Sequence, residues 1–294
     1  MAQTEKVKKT VKRRTMLQDT WRHLIRNRGA VIGMIFLVLL VAAAVFSPLI
    51  FNYAEDVVGQ NMQERLLTPG IGHWFGTDEY GRDLFARVIY GSRYSLMIGA
   101  GSVLLGLVVG TVLGSCAGFY GGTVDSLIMR GIDIFYSIPN IMTAVVIVSL
   151  LGTSTVNLMI ALAFSCASSF ARIVRASVMT IRDQEYVESS YAMGLPTWKI
   201  IAKHILPNCL SPIIVQITLL IGTTIISASS LSFLGIGVPA PAPEWGALLS
   251  AGRGHIRDAS YMRIIPGLAI MFTVLALNLL GDGLRDALDP KLKK

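Results

Sequence analysis

Charged residues are scarce: Asp, Glu, Lys and Arg make up only 15% of the 294 residues, against 53% hydrophobic. A soluble domain carries about 25% charged residues. A soluble core could not hide this much apolar surface, so the composition calls for lipid as solvent. The length would hold one or two soluble domains, but the apolar spans leave little room for a separate globular one. Cysteine is also rare. Cys116, Cys166 and Cys209 are odd in number, far apart, and set in or beside apolar segments. They form neither a disulfide framework nor a CxxC metal pattern, and read as packing residues. His23, His73, His204 and His255 are scattered and suggest no metal cluster. No GxxxxGK[ST] phosphate loop occurs, nor any Gly-Lys pair. ATP, if it is used, must therefore be bound elsewhere. The spans hold no plausible Ser–His–Asp set, so no covalent chemistry and no cofactor of its own are expected of the chain, which reads as not an enzyme.

What charge there is lies unevenly. The net charge is +8, and Lys6, Lys8, Lys9, Lys12, Arg13, Arg14, Arg22, Arg26 and Arg28 all precede the first apolar run, opposed only by Glu5 and Asp19. A basic tail can bind nucleic acid or act as a targeting signal. Beside a long apolar helix the simpler reading is a cytoplasmic anchor that follows the positive-inside rule, with no nucleic-acid partner.

The apolar runs predict an all-α protein with six transmembrane helices. A basic tail, residues 1–29, leads into a first span over 30–52, long enough to cross a hydrocarbon core of about 30 Å. It is too long for a signal peptide, whose apolar region has about 7–15 residues, and Pro48-Leu49-Ile50-Phe51 is a poor cleavage site. Residues 53–94 are polar and read as an extracytoplasmic loop. A five-helix core, 95–284, follows, with spans over Ser95–Tyr120, Val124–Leu151, Val156–Ile173, Leu210–Phe233 and Ile264–Leu280. Residues 285–294 form a tail. Six spans put both termini on one side, and both tails are basic, which places them in the cytoplasm. The same count puts 174–208 in the cytoplasm and 235–263 outside.

Gly106, Gly110, Gly114 and Gly118 recur every fourth residue and form one stripe. Such a stripe admits a second helix backbone, either from this chain or from a partner subunit. Asp125, Arg130 and Asp133 open the third span. Charges in a span are costly and functional candidates by default, here for a pathway role as the alternative to a structural one. Arg130 and Asp133, three apart, can also pair on one helix face, close to the end where Arg can reach water.

The most informative stretch is RDQEYVESSYAMGLPTWKIIAKHILPN, Arg182 to Asn208. Arg182–Met193 reads as a short amphipathic helix closed by Gly194, which suits a left-handed position. Thr197 suits an N-cap, with a second helix over Trp198–Leu206 that Pro207 stops. Glu188, two small residues, Gly194 and then Leu206-Pro207 resemble the EAA signature of ABC importer permeases. Ser189 and Ser190 stand for its two alanines, and His204 for a more common aliphatic residue. The resemblance implies that this loop, 182–208, is the coupling helix docked on an ATPase. Glu188 would make polar contacts with the ATPase, Gly194 the turn, and Trp198 an apolar contact or a headgroup anchor.

Four further stretches extend the resemblance: HWFGTDEYGRDLFARVIYGSRYSL from His73, GFYGGTVDSLIMRGIDIFYSIPN from Gly118, LSFLGIGVPAPAPEWG from Leu231, and GDGLRDALDP from Gly281. Together they look like the C-type permease subunit of dipeptide, oligopeptide and nickel ABC importers. That implies a type I ABC importer permease fold in a bacterial or archaeal plasma membrane. It also implies a B-type permease partner, two ATPases carrying ATP and Mg, and an extracytoplasmic substrate-binding protein. Di- or oligopeptide import is the expected function, with nickel or another small solute as the alternative. An ATP-independent channel or secondary transporter is a rival from another class, although few intramembrane acids or histidines are present to couple protons. Arg82 and Asp83 are candidate outer-loop contacts to a partner.

Overall fold

The computed structural model describes residues 16–288. The basic run from Lys6 to Arg14 and the end of the C-terminal tail, Asp289–Lys294, lie outside the described residues. No strand occurs among the described residues; a single bridge joins Thr77 and Asp83. Helix α1, Met16–Arg26, precedes the first span and was not legible as a separate element. Its Leu24 is buried against Ala30 and Ala287.

Five helical runs are long and apolar enough to cross a membrane: α2 (Arg28–Ile50), α3 (Leu84–Tyr120), α6 (Thr155–Arg182), a run over Thr197–Phe233, and α11 (Tyr261–Leu288). A sixth crossing requires α4 (Gly122–Tyr136) and α5 (Asn140–Leu151) taken together, and these meet at 87°. The expected unbroken third span is therefore corrected. Pro139 has no N–H to donate and pushes the residue before it out of the helical region, so the helix breaks at Ser137–Pro139.

Other boundaries also move. The first span covers 28–50, opened by Asn27, whose side chain accepts from the Ala30 amide. The loop expected over 53–94 ends at Asp83, because the Asp83 carboxylate accepts from the Ala86 amide and starts α3. Polar residues that read as loop lie on its first turns, and Arg87 is buried there with Nη1 donating to the Val57 carbonyl at 2.7 Å. At 37 residues α3 is about 55 Å long, so it projects beyond the hydrocarbon. Likewise α6 runs on to Arg182, past the expected Ile173. Residues 285–288 continue α11 instead of beginning a tail.

Pro207 does not stop its helix. A π turn over Ile201–Ile205 and a 3-10 turn over Leu206–Cys209 lead directly into α9, Leu210–Phe233. The π turn shifts the hydrogen-bond register, and Pro207 falls at the start of the next turn, where its missing N–H is not needed. The stretch expected to face outward over 235–263 contains a short helix, α10, Trp245–Ala251, then a 3-10 turn over Gly252–His255, and α11 begins within it at Tyr261.

The glycine stripe faces α6 of the same chain. A Cβ at Gly114 would stand 2.5 Å from the Ala171 carbonyl oxygen and 2.9 Å from Val174 Cβ. At Gly118 it would stand 2.8 Å from the Arg175 carbonyl oxygen. Apolar burial gives little net drive between helices in lipid, so pairing depends on van der Waals contact at close approach. Replacing Gly114 with leucine is expected to cost about 3 kcal/mol or more, above the usual ~1–3 kcal/mol of overpacking, because backbone is what it strikes. Thermal unfolding of the purified protein in detergent checks this, with Val108→Leu on the exposed face of α3 as a neutral control.

Two ends are distinct. At one, Tyr261 Oη donates to the Thr77 carbonyl at 2.8 Å, and His255 faces Glu79 at 3.7 Å, joining the loop before α3 to the loop before α11. At the other, Arg182 Nη1 donates to the Gly118 carbonyl at the end of α3 at 2.9 Å.

Candidate functional site

The segment between α6 and α9 is a compact hairpin. After a break at Asp183–Gln184, helix α7 spans Glu185–Ala192, shorter at both ends than the sequence suggested. Gly194 has φ +75°, and its amide donates to the Tyr191 carbonyl at 2.8 Å. Helix α8, Thr197–Ile200, follows, and its N-cap is Pro196, not Thr197. Proline serves because the cap position needs extended backbone, which Pro196 adopts at ψ 141°.

One face of the hairpin is rooted in the transmembrane core. Val187, Ile200 and Ile205 are fully buried in the same cluster as Phe170, Val174 and Val178 of α6 and Ile213 of α9; Leu206 packs against it. Tyr191 stacks on Phe119 at the end of α3, ring centroids 5.9 Å apart. The two serines differ. Ser190 is buried, so a small side chain is required there, whereas Ser189 is exposed; both hydroxyls donate to the Tyr186 carbonyl. The opposite face is open. Glu188, Gly194 and Pro207 are exposed, Trp198 is 65% exposed and Met193 70%. The hairpin is thus packed into the core on one face and presents Glu188, Met193 and Trp198 on the other.

The charges of α4 pair with α6, not with each other. Asp125 receives Arg175 Nη2 at 2.6 Å, and Asp133 receives Arg172 Nη2 at 2.8 Å. The expected Arg130–Asp133 pair is corrected: Arg130 is exposed and in no ion pair among the described residues. A bidentate or in-line partner on a facing helix gives better geometry than an i,i+3 neighbour on the same one. Arg172 also lies over the Tyr136 ring, 4.1 Å from its centroid. Arg172, Arg175 and Arg182 were missed as site residues. The signal was present as two arginines of α6, Arg172 and Arg175, facing the two aspartates of α4; Arg182, farther along α6, donates to the Gly118 carbonyl instead.

A cleft of about 90 Å³ opens between α5, α6 and α9, lined by Asn140, Ser165, Ser169, Thr223, Thr224 and Ser227 among others. None of these was singled out from sequence, because serine and threonine are unremarkable in membrane helices until several of them converge. Among the described residues no group of three His, Cys, Asp or Glu could hold a metal.

Residues 110–294 match the family described as binding-protein-dependent transport system inner membrane component, and residues 15–69 match the N-terminal transmembrane domain of oligopeptide transport permease C. The chain belongs to this permease family. Among its relatives, the dipeptide transport system permease DppC of Alkalihalophilus pseudofirmus is 45% identical over 94% of this chain and 90% of its own length. The glutathione transport system permease GsiD of Pectobacterium atrosepticum is 43% identical over 95% and 93%. The di/tripeptide permease DppC of Pseudomonas aeruginosa is 42% identical over 94% and 93%. The permease is thus a multi-pass membrane transport subunit of the ABC importer class, and not an enzyme.

The loop of the permease between α2 and α3 is clamped by buried charge. Asp78 Oδ1 accepts from the Tyr80 and Arg82 amides, and its Oδ2 receives Arg82 Nε at 2.6 Å with Arg87 Nε 3.6 Å away. All three side chains are nearly inaccessible. Arg82 is therefore not available to a partner, which corrects the expectation of an outward contact. Asp83 holds the start of α3 and faces His73 Nδ1 at 2.6 Å. Farther along, the buried Glu244 caps α10 through the Ala247 amide and receives the Ser95 and Ser229 hydroxyls, both at 3.4 Å.

Proposed function

We propose that this permease forms half of a translocation path for di- and oligopeptides in a bacterial or archaeal plasma membrane, with both termini in the cytoplasm. A B-type permease supplies the other half. Two cytoplasmic ATPases, which bind ATP and Mg, drive the cycle, and an extracytoplasmic binding protein delivers the peptide. The peptide class rests on the relatives, whose names specify dipeptide, di/tripeptide and glutathione transport.

The single observation that supports the mechanism is the hairpin's construction. Its inner face shares one packed cluster with α6 and α9, while Glu188 and Trp198 stand exposed on the outer face. An ATPase that moves the outer face must move the helices, since a close-packed cluster transmits displacement instead of absorbing it. Glu188, Ser189, Trp198 and the turn at Gly194 form the ATPase-facing side in this reading; Ser190 and Leu206 form its seat, and Pro207 lets the second arm continue into α9. The ion pairs Asp125–Arg175 and Asp133–Arg172 join α4 to α6 so that they tilt together. ATP closure of the ATPases would open the permease pair outward, and hydrolysis would return it inward.

The test is reconstitution of the whole transporter in proteoliposomes with Met193→Cys in the hairpin. Labelled dipeptide should enter only with ATP and binding protein, and the introduced thiol should crosslink to the ATPase. Transport by the permease alone down a gradient, or crosslinks that never reach an ATPase, would refute the reading. Uptake of nickel in place of peptide would reassign the cargo.

A further inference from the structure

The exposed surface of this permease is of two kinds. On α2, Ile32, Ile35, Val38 and Leu39 are all more than half exposed, as lipid contact requires. On α9, Gln216, Thr223, Ser227 and Ser230 fall on one face at spacings of seven, four and three, and none of the four is buried. Ser165 and Ser169 of α6 meet this face across the cleft, with Asn140 beside them at the start of α5. Thr223 lies near the middle of α9, roughly 20 Å from its first residue, so the cleft lies between the two ends of that helix. It also adjoins the broken span. A helix interrupted at membrane depth is tolerated where it is buried in protein or borders a water-filled cavity.

We infer that this polar face binds the backbone of the transported peptide, with Thr223 and Ser227 as its central contacts. The inference rests on the peptide-importer reading and names the site within it. The chemistry points to backbone amides. Thr223 Oγ1 donates to the Leu220 carbonyl at 3.1 Å, Ser227 Oγ to the Thr223 carbonyl at 3.1 Å, and Ser230 Oγ to the Ile226 carbonyl at 2.8 Å. Each hydroxyl hydrogen is committed to its own helix, and the lone pairs remain as acceptors. An extended peptide presents N–H donors of that kind, and the Asn140 amide offers both a donor and an acceptor. The lining carries no net charge. Arg172, one turn further along the α6 face from Ser169, is neutralised by Asp133. Such a surface accepts a peptide whatever its side chains, and leaves selection to the protein that delivers it.

The test uses the assembled transporter in proteoliposomes and uptake of a labelled dipeptide. Ser227→Ala with Thr223→Val is expected to raise KM for transport about three- to tenfold with little change in maximal rate. Ser227→Trp is expected to lower uptake at least about tenfold, whereas Leu104→Trp on the exposed flank of α3 leaves it unchanged. A Ser227→Cys transporter, modified after assembly by a small water-soluble thiol reagent and compared with the parent treated alike, covers the case in which tryptophan prevents folding. Modification should abolish uptake, and excess dipeptide should slow the reaction. The inference is overturned if the introduced thiol stays unreactive, if the modified transporter keeps full uptake, or if the alanine–valine pair leaves KM unchanged while the parent transports normally. A parent that takes up no dipeptide overturns instead the reading on which it rests.

Discussion

Replacing Gly194 with valine is expected to reduce ATP-driven uptake more than about tenfold while the permease still inserts and assembles. Gly194 sits at φ +75°, a region that costs a β-branched residue about 1–3 kcal/mol. Nothing lies within 4 Å of where its Cβ would stand. The penalty is therefore backbone strain, not collision. The chain relieves it by reopening the turn, and the exposed face carrying Glu188 changes its aim relative to the buried root at Val187 and Ile200. Since about 1.4 kcal/mol corresponds to a tenfold shift in population, strain of this size is enough, on the proposed coupling, to separate uptake from ATP hydrolysis. Asparagine tolerates the left-handed region, so Gly194→Asn should keep uptake within about threefold, as judged from that tolerance. Uptake and ATPase activity measured on the same proteoliposomes separate the cases. Equal loss in both variants would show that the side chain matters and the turn does not.

The largest effect on stability is expected at Asp78. Its carboxylate is the shared anion for Arg82 and Arg87, with side-chain exposures of 3%, 7% and 5% in that order. Removing one partner of a buried pair leaves an uncompensated charge and costs about 3–5 kcal/mol. Here two guanidiniums lose their anion at once. Asp78→Ala should lower the apparent unfolding temperature of the purified permease by about 10 °C, on the scaling for chains of this size. Asp78→Asn should fall between, because its Oδ1 can still accept from the Tyr80 and Arg82 amides. Differential scanning fluorimetry on the three proteins gives the order. An alanine variant as stable as the parent would mean that the loop between α2 and α3 does not depend on this anion.

The sequence supported more of the fold than of the site. Long apolar runs mark spans directly, since the bilayer demands about 20 apolar residues for each crossing. Their ends were harder to place. At the start of α3, Asp83 and Arg87 read as loop because polarity alone cannot distinguish a wet helix end from a turn. Pro139 was passed over as part of one apolar run, while Pro207 was given a stop it does not impose. The two prolines look alike in sequence, and differ in whether the preceding turns can change register to receive them. Asp125 and Asp133 were noticed as charges in a span, but their partners lie on α6, 50 and 39 residues away, and no local spacing rule reaches that far.

Alone, the sequence determined that this chain lives in lipid, that it lacks a phosphate loop of its own, and that a glycine-turned hairpin separates its fourth and fifth apolar runs. These follow from composition, motif and short-range geometry, which are properties of neighbouring residues. Only the tertiary structure decided that the glycine stripe of α3 serves α6 of the same chain, that Arg82 is sequestered by Asp78, and that hydroxyls from α6 and α9 converge on one cleft. Each of these is a contact that sequence spacing does not specify. Which helix faces another is set by packing of the whole bundle, and a one-dimensional pattern of polar and apolar residues is compatible with several such packings.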